Sequence, residues 1–225
     1  MIPTELLATA EIPGEGSELR LYGHDGDFMV RVGGLELMGS RETGSEEMLA
    51  EIALARLGDT SKARVLIGGL GLGFTLARVL ALIGPDAVAE VVELVPEIVE
   101  WNRRWFGELN GHPLRDERAV LVEGDVRERI RTSKSAYDVI LLDVDNGPEG
   151  LVAKSNDHLY SKAGLKAAAA ALRPGGILAV WSITPEDWFT ARIKSAGFEV
   201  TQECVRARRR KGPKRTIWLA TPKGR

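Results

Sequence analysis

Four carboxylates and a run of glycines stand at positions where this sequence could do chemistry. The run is Val65-Leu66-Ile67-Gly68-Gly69-Leu70-Gly71-Leu72-Gly73-Phe74, an apolar strand that turns through glycines into a helical pattern. Such a turn lets main-chain N–H groups approach a ligand closely and aims the positive end of a helix at it. Gly68, Gly69, Gly71 and Gly73 are therefore candidate binding residues. The last three give G-x-G-x-G, not the G-x-G-x-x-G usual in dinucleotide binders, and a tight turn without ligand would use the same residue types. Glu93 ends the next apolar run, 20 residues after Gly73. A carboxylate there can accept hydrogen bonds from both hydroxyls of a ribose, or remain a solvated charge at a strand end. After the third run comes Glu123-Gly124-Asp125, where Asp125 can accept from an adenine amino group, cap the helix that starts at Val126, or do both.

The fourth run ends in Leu141-Leu142-Asp143-Val144-Asp145-Asn146-Gly147-Pro148. It delivers Asp143, Asp145 and the amide of Asn146 to the same edge, where a carboxylate could steady a sulfonium charge or orient a nucleophilic amine. Asp-Asn-Gly-Pro is also ordinary turn chemistry. His158 and Tyr160 follow this loop and could reach an acceptor pocket, and Trp181, at the end of the fifth run, could wall it.

A sheet is needed to bring these residues together, and the pattern from Lys62 onward supplies one. Apolar strands at Ala63–Ile67, Val88–Leu94, Ala119–Val122, Tyr137–Leu142 and Ile177–Trp181 alternate with helices at Phe74–Ile83, Pro96–Trp105, Val126–Arg131, Ser161–Leu172 and Pro185–Ala196. That alternation is the mark of βαβ units and a parallel sheet. Two further strands, Phe198–Val205 and Thr216–Ala220, flank a basic segment and close the sheet as an antiparallel hairpin. The expected fold is α/β, a doubly wound, mostly parallel seven-stranded sheet. Ahead of it, short alternating runs around Asp25-Gly26-Asp27 and Gly33-Gly34 predict a small antiparallel β meander. Thr43 and Glu46 have capping-box spacing for a helix ending at Gly58. Residues 1–60 are expected to act as a lid or oligomerisation element of a homodimer, and residues 61–225 as the ligand-binding domain.

At 225 residues and 44% hydrophobic, the chain can bury one sizeable core but not two full domains. Its net charge of -2 argues against nucleic acid or an anionic membrane as a general partner. Seven basic residues and no acidic ones fall between Arg206 and Arg215, which leaves -9 for the rest; without interleaved aromatics this segment predicts a solvated turn. A single cysteine, Cys204, precludes an internal disulfide and suits a cytoplasmic setting. No Cys/His spacing suggests a metal, and neither a signal peptide nor a membrane span is expected.

The stretch from Ser40 to Trp181 resembles the spermidine/spermine synthase family. The matching residues are Glu47-Met48, Val65-Leu66-Ile67-Gly68-Gly69, Glu93, Gly124-Asp125, Tyr137-Asp138-Val139-Ile140 leading to Asp143, Leu159-Tyr160 and Leu172-Arg173-Pro174-Gly175-Gly176. The resemblance implies the Rossmann-like class I methyltransferase fold and a site for S-adenosylmethionine or its decarboxylated form, without a metal. The family's loop aspartate is Gly71 here, its second aspartate after the fourth strand aligns with Asn146, and its Tyr-Gln pair is Ser45-Glu46. Those departures favour a methyltransferase that uses S-adenosylmethionine on a small-molecule acceptor, with Asp143 or Asp145 orienting the nucleophile. The alternatives are polyamine aminopropyl transfer to an amine and a catalytically silent adenosyl-binding module.

Overall fold

A computed structural model describes residues 3–144, 147–148, 156–208 and 210–224. Four antiparallel strands come first, β1 (Glu5–Glu11), β2 (Glu18–His24), β3 (Asp27–Val32) and β4 (Leu35–Gly39), paired in that order. The sequence pattern missed β1, because Glu-Leu-Leu-Ala-Thr-Ala-Glu alternates poorly; its register comes from pairing with β2, and a bulge between Leu6 and Ala8 interrupts it. Helix α1 (Gly44–Leu57) follows. Its boundaries agree with expectation, but the capping box does not form. Thr43 makes no side-chain cap, and its hydroxyl lies 3.4 Å from Glu47 Oε1 instead.

The second sheet has the order β10-β11-β9-β8-β5-β6-β7. Its strands are β5 (Arg64–Gly68), β6 (Val88–Glu93), β7 (Ala119–Glu123), β8 (Tyr137–Leu142), β9 (Leu172–Ser182), β10 (Phe198–Arg208) and β11 (Lys211–Pro222). Strands β5 to β9 run parallel, and β10 and β11 are antiparallel. Strand order reverses between β5 and β8, so the crevice beyond their carboxyl ends is where an open α/β sheet takes a ligand. The connecting helices are α2 (Phe74–Leu82), α3 (Pro96–Trp101), α4 (Gly107–Asn110), α5 (Val126–Thr132), α6 (Asn156–Leu159), α7 (Lys162–Ala171) and α8 (Asp187–Ser195). No helix among the described residues is long and apolar enough to cross a membrane.

Three local departures from the sequence pattern have physical causes. The helix expected over Pro96–Trp105 passes through a π-helical turn at Asn102–Phe106. The wider turn lets Trp101 and Phe106, five residues apart, both bury and meet edge to face at 6.5 Å. Strand β9 begins five residues early, because Pro174-Gly175-Gly176 is absorbed as an irregularity between the pairs Tyr137–Leu172 and Val139–Ile177. The basic segment is not a free turn; β10 and β11 extend into it, with Arg206 opposite Lys214 and Arg208 opposite Lys211.

Each face of the large sheet carries its own apolar cluster. One joins α1, α2 and α3 to β2 and β3 through residues such as Leu21, Val30, Leu49, Val65 and Val91. The other packs α5, α7 and α8 through Ile130, Leu165 and Phe189. Because the N-terminal sheet shares the first cluster, β4 can bring Leu37 and Met38 to the edge of the crevice.

Candidate functional site

The glycine turn after β5 is built as the sequence suggests. Gly69 has φ +85°, and a Cβ there would stand 2.7 Å from the carbonyl oxygen of Asp143. Only glycine lets the ends of β5 and β8 approach this closely. Gly73 has φ +87° and is hemmed in by Asn102 and Asn110. Those two amides also clamp the loop: Asn102 Nδ2 donates to Gly71 O at 2.7 Å and to Ile98 O at 2.9 Å, and Asn110 Nδ2 donates to Leu72 O at 2.6 Å. With its carbonyls held on that side, the loop keeps a fixed shape against the cavity. Gly69, Gly71 and Gly124 line the cavity, whereas Gly68 and Gly73 are buried and shape the turn without reaching it.

Three acids meet around the cavity from three strand ends. Glu93 is 5% exposed and accepts the Leu70 N–H at 2.8 Å and the Val95 N–H at 3.0 Å. Burial pushes its carboxyl up, and the backbone N–H groups oppose that. Asp125 accepts the Arg127 N–H at 2.8 Å and pairs with the Arg127 guanidinium while lining the cavity, so the capping residue also faces the crevice. Burial raises Asp125, but the hydrogen bonds from Arg127 outweigh it and hold the carboxyl below its ordinary value. Asp143 accepts the Thr75 hydroxyl at 2.8 Å, and its removal from water pushes it up to about 6.

A fourth acid, Glu46 on α1, was not among the expected site residues. It lines the cavity, its Oε2 is shielded from solvent, and that oxygen has no hydrogen-bond partner among the described residues. Loss of solvent and the nearby Asp143 raise its carboxyl well above the ordinary range, with Glu47 adding to the effect and Arg215 opposing it. A signal was present in the sequence: Glu46 precedes Leu49, Ala50 and Ala53 at helical spacing and so belongs to the buried stripe of α1. Trp181 does wall the cavity, 8% exposed, and its indole Nε1 also lacks a partner among the described residues.

Leu37, Met38, Glu46 and Trp181 line a second cavity as well, which opens between β2 to β4 and the C-terminal hairpin. The site is thus two chambers that share a wall, a crevice over the sheet and an outer one under the N-terminal strands. Tyr160 reaches neither. It is buried on the opposite face of the sheet, edge to face with Phe189 at 5.5 Å, because Leu159 and Tyr160 anchor the segment leading into α7. Asp145 and Asn146 lie outside the described residues.

A family model for the spermine/spermidine synthase domain matches residues 42–192, the stretch that supplies every acid just described. The chain belongs to the spermine/spermidine synthase family. Among curated members, polyamine aminopropyltransferase 2 of Pseudomonas aeruginosa is 31% identical over 163 residues, which are 71% of this chain and 44% of that protein. Putrescine N-methyltransferase 1 of Nicotiana tabacum is 32% identical over 133 residues, 59% of this chain and 33% of that protein. This chain therefore spans less than half the length of either relative. Spermidine synthase from Thermotoga maritima shares the fold, with a TM-score of 0.76 at 20% identity over 97% of this chain and 72% of that one. The fold is the family's class I methyltransferase-like sheet with a four-stranded N-terminal sheet.

Proposed function

We infer that this chain transfers an aminopropyl group from decarboxylated S-adenosylmethionine to an amine. The observation that carries this is Glu46, whose shielded oxygen has no partner among the described residues and stands beside Asp143 at the glycine loop. A buried carboxylate without a partner is costly, and a cationic amine would relieve that cost. The carboxylate of S-adenosylmethionine would meet like charge there, whereas the decarboxylated form presents only an ammonium. Gly71 alone pointed the other way, toward S-adenosylmethionine; Glu46 supplies from α1 the negative charge that the loop lacks. Gly71 and the N-methyltransferase relatives favour a second reading, methyl transfer to an amine.

Residues at the crevice divide the work. Glu93 takes the ribose hydroxyls, Asp125 the adenine amino group, and Leu37, Met38, Ile98 and Trp181 exclude water from the reacting centre. The acceptor nitrogen attacks the aminopropyl carbon bound to the sulfonium, a C–N bond forms as the C–S bond breaks, and sulfur leaves with the electron pair as a neutral thioether. The surplus proton on nitrogen passes to a carboxylate, for which Asp143, at about 6, is suited at neutral pH.

Calorimetric titration of the unmodified chain and Glu46→Gln with both donors tests the assignment. Decarboxylated S-adenosylmethionine should bind the unmodified chain about tenfold or more tightly than S-adenosylmethionine, and Glu46→Gln should narrow that gap. Tighter binding of S-adenosylmethionine by the unmodified chain would refute it.

A further inference from the structure

The outer chamber is lined by guanidiniums as well as carboxylates: Arg41, Arg208 and Arg215 stand among Asp27, Glu36, Glu42 and Glu46. Asp27 is already engaged by Arg41 at 2.7 Å and by the Ser40 hydroxyl at 3.1 Å, and Glu36 is exposed. Glu42 is shared between two guanidinium groups, Arg208 at 3.3 Å and Arg215 at 3.4 Å. Both contacts are longer than the 2.6 Å and 2.7 Å of Arg118 with Asp116 and Arg41 with Asp27. Glu42 is thus held loosely by both arginines, and Arg215 also draws down the carboxyl of Glu46.

Arg215 stands where a ligand can meet it. Its side chain is only 14% exposed, with its guanidinium carbon 5.9 Å from the centre of the Trp181 ring. Trp181 lines both chambers, is more than nine-tenths buried, and keeps an indole N–H with no partner among the described residues. An indole N–H can only donate, and a guanidinium can only donate. A shielded N–H and a guanidinium whose carboxylate contact is long offer donors on one wall to a hydrogen-bond acceptor with negative charge. Glu46 and Asp143 favour the opposite charge.

Resting on the amine-acceptor reading above, we propose that the acceptor is an amine that also carries an anionic group, an amino carboxylate, whose carboxylate is received by Arg215 and Trp181 while its nitrogen faces Glu46 and Asp143. This makes Arg215 a specificity-determining residue. A diamine of equal length would place a second ammonium against Arg215. Glu42 acts as the internal competitor that occupies the arginines when the chamber holds no acceptor.

The test is binding, so it does not depend on turnover. Calorimetry on the full chain saturated with methylthioadenosine compares ω-amino acids of three to six carbons, 3-aminopropanoate to 6-aminohexanoate, with diamines of the same lengths. At least one amino acid should bind about tenfold or more tightly than its matched diamine. Arg215→Met should abolish that preference, Arg215→Lys should retain part of it, and Glu42→Gln should strengthen amino-acid binding by freeing the guanidiniums. Methylthioadenosine affinity should be the same in all of them, which shows that each variant is folded. Preference for diamines, no binding of either series, or an amino-acid preference untouched by Arg215→Met would overturn the assignment. Which group is transferred, and whether transfer occurs, is read separately by product analysis, so failure of the aminopropyl reading is distinguishable from failure of this one.

Discussion

Replacing Asp143 with asparagine should make the protein more stable at neutral pH. Asp143 is moved from an ordinary 3.8 to about 6 by its removal from water, with the Thr75 hydroxyl opposing the shift. A carboxyl raised on folding binds more protons in the folded chain than in the unfolded one between those two values. Stability therefore falls as pH rises through that window, and the full cost is present above about pH 6. Moving a carboxyl from 3.8 to about 6 corresponds to about 3 kcal/mol. Asparagine keeps an oxygen for the Thr75 hydroxyl and carries no charge to desolvate. Urea denaturation of both proteins from pH 3 to pH 8 reads the effect. Asp143→Asn should match the unmodified chain near pH 3, where both carry a neutral group, and exceed it by about 3 kcal/mol at pH 7.5. A variant equal to or less stable than the unmodified chain at pH 7.5 would refute the claim that this carboxylate is held at a cost.

Other expectations bear on the glycine loop and the nucleoside crevice. Glu93→Ala removes the acceptor of the Leu70 and Val95 N–H groups along with the ribose contact proposed for it. Methylthioadenosine should bind about ten- to hundredfold more weakly by calorimetry, and unchanged affinity in a folded variant would remove Glu93 from the site. Gly69→Ala adds a Cβ 2.7 Å from a backbone oxygen at φ +85°; it should cost about 2 kcal/mol or more in urea denaturation, and a neutral result would contradict the close approach. Asn110→Ala frees the Leu72 carbonyl and should cost about 1 kcal/mol of stability together with some nucleoside affinity, whereas unaltered values for both would show that the clamp does nothing.

Much of this architecture was legible because each parallel strand is a short apolar run whose next residues face the crevice. Strand β8 ends where its pattern ends, and Glu93, Asp125 and Asp143 then reach one cavity. What escaped reflects interactions between elements distant in sequence. Strand β1 exists through its pairing with β2, and the extended hairpin through cross-strand pairs that hold Arg208 and Arg215 near Glu42. Glu46 looked like a capping residue because its spacing from Thr43 is local, while its role follows from packing α1 beside the end of β8. Tyr160 erred the other way: proximity in sequence to the fourth-strand loop suggested the pocket, and the apolar cluster with Phe189 claimed it. Expectations for Asp145 and Asn146 concern positions outside the described residues.

On the function proposed for this chain, the group transferred is aminopropyl. Mass spectrometry of reactions containing the purified chain, a panel of diamines and ω-amino acids, and either decarboxylated S-adenosylmethionine or S-adenosylmethionine tests it directly. With the decarboxylated donor, methylthioadenosine should accumulate alongside an acceptor enlarged by an aminopropyl group, and the other donor should give little product. Formation of S-adenosylhomocysteine and a methylated amine, with no aminopropyl product, would contradict it.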